Sequence, residues 1–134
     1  MADTVTSQTI QDGGKTAVLK FTNESDGSGE SSVKKVDVSA LAADSAGNAC
    51  TSVSIARIYW ACRGMGVDIE FDASTNVLAI PLPADSTGDE HYDLFGSIPN
   101  NAGSGVTGDI DFTTVGASSG DAYSIILVLH KNYS

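Results

Sequence analysis

Apolar and polar residues alternate with a period of two along most of this chain, in short stretches separated by clusters of Gly, Asp, Asn and Ser. This alternation is typical of strands joined by turns, and no stretch shows a convincing helical period. The predicted strands cover residues 4–10, 15–22, 33–39, 51–62, 67–71, 77–82, 92–95, 109–115 and 122–131. The pattern therefore predicts an all-β protein: a single β-sandwich, jelly-roll or Greek-key-like, of about eight to nine short antiparallel strands.

The connections are predicted from turn residues. Asp12-Gly13-Gly14 is a hairpin signal, residues 23–31 contain no apolar side chain and are expected to form an exposed loop, and residues 84–91 are predicted to be a polar loop. The chain shows no linker and no internal repeat. One domain is therefore expected over residues 1–134, with a short flexible N-terminus.

The central strand, residues 51–62, is apolar on both predicted faces. Strict alternation places Val53, Ile55, Tyr59 and Ala61 on one face and Ala56, Ile58, Trp60 and Cys62 on the other. A strand of a β-sandwich normally exposes one polar face to water. This strand is therefore expected to be buried on both faces or to bury one face against a partner.

A hydrophobic core is predicted from the apolar positions of the alternating stretches. Its members are Val18, Leu19, Phe21, Val36, Val38, Val53, Ile55, Ile58, Val67, Ile69, Phe71, Leu78, Ile110, Phe112, Ile125, Leu127 and Leu129.

Charge narrows the function classes. Seventeen Asp and Glu against seven Lys and Arg give a net charge of -10, and ten of the acids lie in residues 64–134 beside a single basic residue, Lys131. Such a chain repels phosphate backbones, which argues against nucleic-acid binding. No apolar run approaches the ~20 residues of a membrane helix, and the N-terminus lacks the features of a signal peptide. A partner in the membrane is therefore not expected either.

The two cysteines lie at the ends of the central strand. If that strand is continuous, Cys50 and Cys62 are about 40 Å apart, far beyond the ~6 Å of a disulfide, so no bridge within one chain is expected. Buried free thiols are favoured, and an interchain disulfide through these residues stays open.

No catalytic or metal-binding motif stands out. Cys50, Cys62, His91 and His130 lack a zinc-finger spacing, and both histidines are predicted to be structural or on the surface. Oxygen ligands alternate in residues 72–76 and 85–90, but turn chemistry explains them better than calcium does. We therefore predict a protein without a metal or cofactor, and not an enzyme.

Interface candidates are aromatic residues, Arg and Met, the types enriched at interface centres. They are Tyr59, Trp60, Arg63, Met65, Tyr92 and Phe95. A carbohydrate-binding module is an alternative, in which Tyr59, Trp60 or Tyr92 would stack against a sugar; such a platform needs its aromatics exposed on one flat face.

Several phrases of the sequence resemble a group of small structural proteins of tailed bacteriophages. The most distinctive are KFTN followed by SDG, the turn and strand GMGVDI, and the closing hairpin TGDIDFTT, SSGD and YSI. The likeness runs over nearly the whole chain, about residues 6–131.

This resemblance implies a virion component, made in the host cytoplasm and located in the virion. By fold-level analogy, a short acidic β-sandwich fits best as a decoration or cement protein on the capsid surface, bound to the major capsid protein. A homo-oligomer is expected, with a trimer favoured. Neck, tail and fibre-associated roles, with other virion proteins as partners, stay open.

Overall fold

The computed structural model of the protein describes residues 4–92 and 97–133. Within these ranges the chain forms nine strands and one short 3₁₀ turn, Val38–Ala40, and no α-helix. The strands are β1 (Thr4–Asp12), β2 (Thr16–Glu24), β3 (Val33–Val36), β4 (Ser52–Arg63), β5 (Gly66–Phe71), β6 (Val77–Leu82), β7 (Thr87–His91), β8 (Ile110–Val115) and β9 (Ala122–Asn132).

The strands form two antiparallel sheets that pack as a β-sandwich. The five-stranded sheet has the order β1-β2-β9-β4-β7, and the four-stranded sheet has the order β3-β8-β5-β6. β2 pairs with β9, β3 with β8, β4 with β7, and β5 with β6, alternately in the two sheets. The chain is thus a long antiparallel ribbon wound around the core, which is the jelly-roll arrangement. The predicted fold class is confirmed.

The core lies between the two sheets. Its largest fully buried side chains include Phe21, Phe71 and Phe112, and the rings of Phe21 and Phe112 meet edge to face with centroids 5.3 Å apart. Fifteen of the predicted core residues are buried; the two exceptions are Val18, which is half-buried on the outer face, and Leu78, which is 50% exposed. Those two predictions were wrong: Val18 lies between the inward-facing Ala17 and Leu19 and so points outward, and a bulge in β6 between Leu78 and Ile80 turns Leu78 away from the core.

A β-bulge changes the faces of β4. The register with β9 shifts between Ile55 and Arg57, so that Val53 and Ile55 share the inner face with Ile58, Trp60 and Cys62. One extra residue reverses the alternation beyond it. The prediction from strict alternation, which placed Ile55 opposite Ile58, was therefore wrong.

Two loop predictions also need correction. Asn23 belongs to β2 and, like Ser25, is buried, so residues 23–31 are not simply an exposed loop. Most of the predicted loop 84–91 is strand β7, whose five residues pair with β4. Tyr92, the start of the strand predicted over 92–95, lies just beyond β7, and residues 93–95 fall outside the described residues. The predicted flexible N-terminus, residues 1–3, also falls outside them.

Candidate interaction surface

The outer face of the five-stranded sheet carries an apolar centre, which we call the outer patch: Val18, Tyr59, Ile126 and Val128. The register brings them together, because Tyr59 lies opposite Ile126 and Val18 lies opposite Val128 in adjacent strands. All four are half-buried. Lys20 of β2 and Arg57 of β4 lie next to them in the same two rows of the sheet. The patch thus joins apolar surface to two cations in a chain of net charge -10.

Tyr59 stands at one side of the outer patch, next to β7. Its ring meets the His91 ring edge to face at a centroid distance of 6.0 Å, and Asp89 is its direct neighbour across the strand pair. The His91 Nε2 atom lies 3.2 Å from an Asp89 carboxylate oxygen. Tyr59 is therefore oriented by β7 and keeps part of its ring accessible.

Trp60 points to the opposite side of β4. Its side chain packs against the core, and its indole N–H donates a 3.0 Å hydrogen bond to Ser86 Oγ. Ser86 Oγ in turn donates to the carbonyl of Pro83. Trp60 and Tyr59 therefore lie on opposite faces of the sheet and cannot join one contact surface.

Arg63 and Met65 follow at the end of β4. Arg63 is exposed, and its guanidinium donates a 3.0 Å hydrogen bond to the carbonyl of Gly120, which ties β4 to the β8–β9 loop. Met65 is 0% exposed and belongs to the core. Its burial does not fit the expectation that it contacts a partner.

Tyr92 is half-buried and packs against the core, and its N–H donates to the carbonyl of Ala56. Burial raises the pKa of its hydroxyl. Phe95, the last interface candidate, lies outside the described residues.

The cysteines are both free and buried. Loss of water around each thiol raises the pKa of Cys50 and of Cys62, which lowers the thiolate fraction available for exchange. The Cys50 thiol lies 3.3 Å from the carbonyl oxygen of Ser52, to which it donates. No bridge joins the two within the chain, as predicted, and their burial argues against the interchain disulfide.

A cavity of about 640 Å³ lies where the β1–β2 turn meets the end of β9. Its lining includes Lys15, Asp44, His130 and Tyr133. The Tyr133 hydroxyl donates to the carbonyl of Gly14, and Asp44 caps its own turn by accepting from the N–H groups of Ala46 and Asn48. None of the five interface candidates within the described residues lines this cavity.

A buried carboxyl group lies on the outer side of the four-stranded sheet. Asp111 is 3% exposed, and one of its oxygens accepts a 2.9 Å hydrogen bond from the Asn76 amide. Its other oxygen, Oδ1, has no hydrogen-bond partner among the described residues, and the Asp72 carboxyl group lies near it. Loss of water, followed by the interaction with the Asp72 carboxyl group, raises the pKa of Asp111 to about 6.

Asp72, the neighbouring carboxyl group, shows the opposite pKa shift. Its pKa is lowered, above all by a 2.6 Å hydrogen bond from the Thr107 hydroxyl. Sequence reasoning assigned Asp72 to a turn and did not single out Asp111, because only the sheet register brings their strands side by side.

Of the two oxygen-rich segments, residues 72–76 form a turn, whereas most of residues 85–90 belong to strand β7. The side chain of Asn76 accepts from the N–H of Ala73, and the side chain of Asp85 accepts from the N–H of Gly64. Over the described residues, no group of three or more His, Cys, Asp or Glu is placed to hold a metal ion.

In comparisons with known proteins, no family model matches the chain, and neither a curated protein nor a solved structure matches it significantly. A search of the described residues finds no helix of the length and apolarity needed to cross a membrane.

Proposed function

We propose that this protein is a structural component of a tailed-phage virion, most specifically a capsid decoration protein that binds and stabilises the lattice of the major capsid protein. The resemblance to small phage structural proteins over about residues 6–131 carries the proposal. The jelly-roll order of the strands supports it by analogy, since viral capsid proteins use this architecture.

The outer patch is the surface proposed to contact the capsid. A contact of this kind gains free energy from removing apolar surface from water, and aromatic residues dominate such contacts. Ile126 lies in the middle of one row of the patch, between Tyr59 of β4 and Lys20 of β2. The cations would suit an acidic zone on the partner, which the net charge of -10 of this chain would otherwise repel.

The experiment compares particles that lack the protein with particles to which purified protein has been added back. Binding to the assembled state stabilises it by mass action, so addition should restore heat resistance while particle shape stays the same. The double variant Tyr59→Ser/Ile126→Ser should bind at least about tenfold more weakly, which corresponds to about 1.4 kcal/mol.

The matched control is Val115→Ser, because Val115 is an exposed apolar residue of the other sheet, 53% accessible. This variant should bind like the wild type, and circular dichroism should show that both variants fold. Equal loss of binding in the two variants would exclude the outer patch. Labelled protein found only at the neck or tail would exclude the decoration role and leave a general virion role, and its absence from purified particles would exclude both.

The carbohydrate-binding alternative is less well supported. Its platform needs Tyr59, Trp60 or Tyr92 to be exposed together on one flat face. Trp60 and Tyr92 pack against the core, and Tyr59 alone faces outward. Glycan-array binding abolished by Tyr59→Ser would favour this alternative over the capsid contact.

A further inference from the structure

Among the strands that the structure describes, the two sheets have four edge strands, and three of them carry features that oppose pairing with another strand. β3 has only four residues and contains Lys34 and Lys35; β6 contains Pro81; β7 contains Asp89 and Glu90. Short length, charge and proline are the common means by which proteins protect sheet edges. Strand β1 differs, because its nine residues include no Lys, Arg, Glu or Pro.

The single charge of β1 is at its end. Asp12 is occupied by an ion pair with the buried ammonium group of Lys131. A bulge between Thr9 and Gln11 interrupts the ladder near this end, but the pairing of Thr4–Thr9 with β2 is regular. The first six residues of β1 are therefore an uninterrupted and uncharged edge in a chain of net charge -10.

The direction of the backbone groups of β1 follows from the neighbouring ladder. The N–H of Ser25 donates to the carbonyl of Asp121, and the N–H of Lys131 donates to the carbonyl of Lys15. The backbone N–H and C=O groups of the odd-numbered residues of β2 therefore point towards β9. The register of β2 with β9 has no shift, so the backbone N–H and C=O groups of the even-numbered residues of β2 point towards β1.

Since even residues of β2 lie opposite even residues of β1, Thr6 and Gln8 bond to β2. The N–H and C=O groups of Val5, Ser7 and Thr9 then point away from the sheet.

The side chains of this strand are also uncovered. Every residue from Val5 to Ile10 is exposed, on both faces of the strand, including Val5 at 42% and Ile10 at 53%. β2, its neighbour, buries Ala17, Leu19 and Phe21. β1 therefore contributes little to the core of a single copy, and a second strand beside it would cover apolar surface and pair the backbone groups that point away from the sheet.

We infer that two copies of this chain associate through β1, which pairs with β1 of the other copy in antiparallel orientation to form one continuous ten-stranded sheet. A second copy fits this edge because the contact is self-complementary and brings no like charges together, whereas pairing of two β7 edges would bring acids together.

The register of this contact is restricted. A two-fold axis normal to the sheet keeps the inner faces of the two copies on the same side of the joined sheet. Residues of β1 that lie on one face must therefore pair with residues on the same face of the other β1. With the axis at Ser7, Val5 of each copy lies opposite Thr9 of the other, and the outward backbone groups of all three residues are paired. An antiparallel pair closes with two copies, so the expected unit is a dimer in place of the trimer favoured above. The inference does not depend on the proposed function.

The test is sedimentation equilibrium of the full chain. The wild type should be a dimer in equilibrium with monomer. Ser7→Pro removes an N–H group that points away from the sheet, and an edge strand tolerates proline at such a position. The loss of this hydrogen bond should raise the dimer dissociation constant by about tenfold or more. Ser7→Thr keeps the N–H and is the matched control, expected to dimerise like the wild type.

Three outcomes would overturn the inference: a wild type that stays monomeric up to millimolar concentration, Ser7→Pro that dimerises unchanged, or Ser7→Thr that dissociates as strongly as the proline variant. Amide exchange of the wild type provides a second readout should the proline variant fail to fold. The N–H groups of Val5, Ser7 and Thr9 should exchange more slowly as protein concentration rises; exchange independent of concentration would contradict the pairing.

Discussion

The Asp111 carboxyl group shows how one buried side chain can make stability depend on pH. It faces Asp72 and Asn76, and across the strand pairs it lies opposite Glu70 of β5 and Lys34 of β3. Glu70 accepts from Asn76 and from Thr113, while Lys34 forms its ion pair with Asp109 at 2.8 Å. Loss of water and the nearby Asp72 carboxyl group outweigh the attraction of Lys34, so the pKa of Asp111 lies above its ordinary value.

Asp111→Asn should stabilise the protein at neutral pH. The folded pKa, about 6, lies above the ordinary value of 3.8, so the wild type loses stability as pH rises from about 4 to 6, and the cost is complete above that range. The neutral amide removes the charge that burial and the nearby Asp72 carboxyl group disfavour. The gain should be about 2 kcal/mol at pH 7.5 and should vanish towards pH 4.

Urea unfolding at several pH values measures this effect. Asp68→Asn removes the same charge from β5 on the same outer side of the sheet and serves as the control. A gain for Asp111→Asn that does not change with pH, or an equal gain for the control, would contradict the raised pKa of Asp111.

At the scale of the elements, strand β7 depends on a glycine. Gly88 lies opposite Trp60 in the register, and a Cβ atom added there would stand 2.8 Å from two atoms of the indole ring. The indole N–H is also bonded to Ser86, just before β7. The position of β7 on β4 is therefore coupled to the packing of a single side chain.

Gly88→Ala should destabilise the protein by about 1–3 kcal/mol, because the ring or the strand must move. The chain contains one tryptophan, so the fluorescence spectrum reports directly on this site. Thr87→Ala, which shortens an exposed neighbour, is the control and should leave both spectrum and stability nearly unchanged. An unshifted spectrum in Gly88→Ala would show that the close contact is not present.

The hydrogen bonds of a buried lysine side chain hold the end of β9 in place. The buried ammonium of Lys131 donates to Asp12, to the carbonyl of Gly13 at 2.6 Å and to the carbonyl of Ala42 at 3.1 Å. One side chain thus satisfies three acceptors from the β1–β2 turn and from the loop after the 3₁₀ turn.

Lys131→Met should cost about 3 kcal/mol of unfolding free energy, because it leaves these acceptors without their partner. Lys15→Met, at an exposed neighbouring lysine, should cost much less. Thermal unfolding compares the two variants. Equal and small losses would mean that the ammonium contributes no more than a surface charge.

At the scale of the whole molecule, the uneven charge dominates. Residues 64–134 hold ten acids and one basic residue, so the folded chain repels itself and salt should screen that repulsion. The melting temperature should rise when ionic strength increases from about 0.01 M to about 0.15 M. A calorimetric scan at constant pH measures the change, and a falling melting temperature would show that attractive ion pairs outweigh the repulsion.

The sequence by itself determined the fold class and most of the core. Period-two alternation marks a strand wherever one face is buried, as in β5, where Val67, Ile69 and Phe71 point inward. It also excluded a bridge between Cys50 and Cys62. These conclusions depend only on local strand geometry, namely the alternation of side chains and the length of an extended segment, which residues close in sequence determine.

Only the tertiary structure decided which residues of different strands lie opposite each other. The bulge in β4 placed Trp60 inside and Tyr59 outside, and β7 was missed because its residues, TGDEH, have no apolar face. The Asp72–Asp111 pair and the outer patch likewise join strands that are distant in sequence. Such contacts depend on register and strand order, which arise from packing over the whole chain and leave no periodic signal in any one segment.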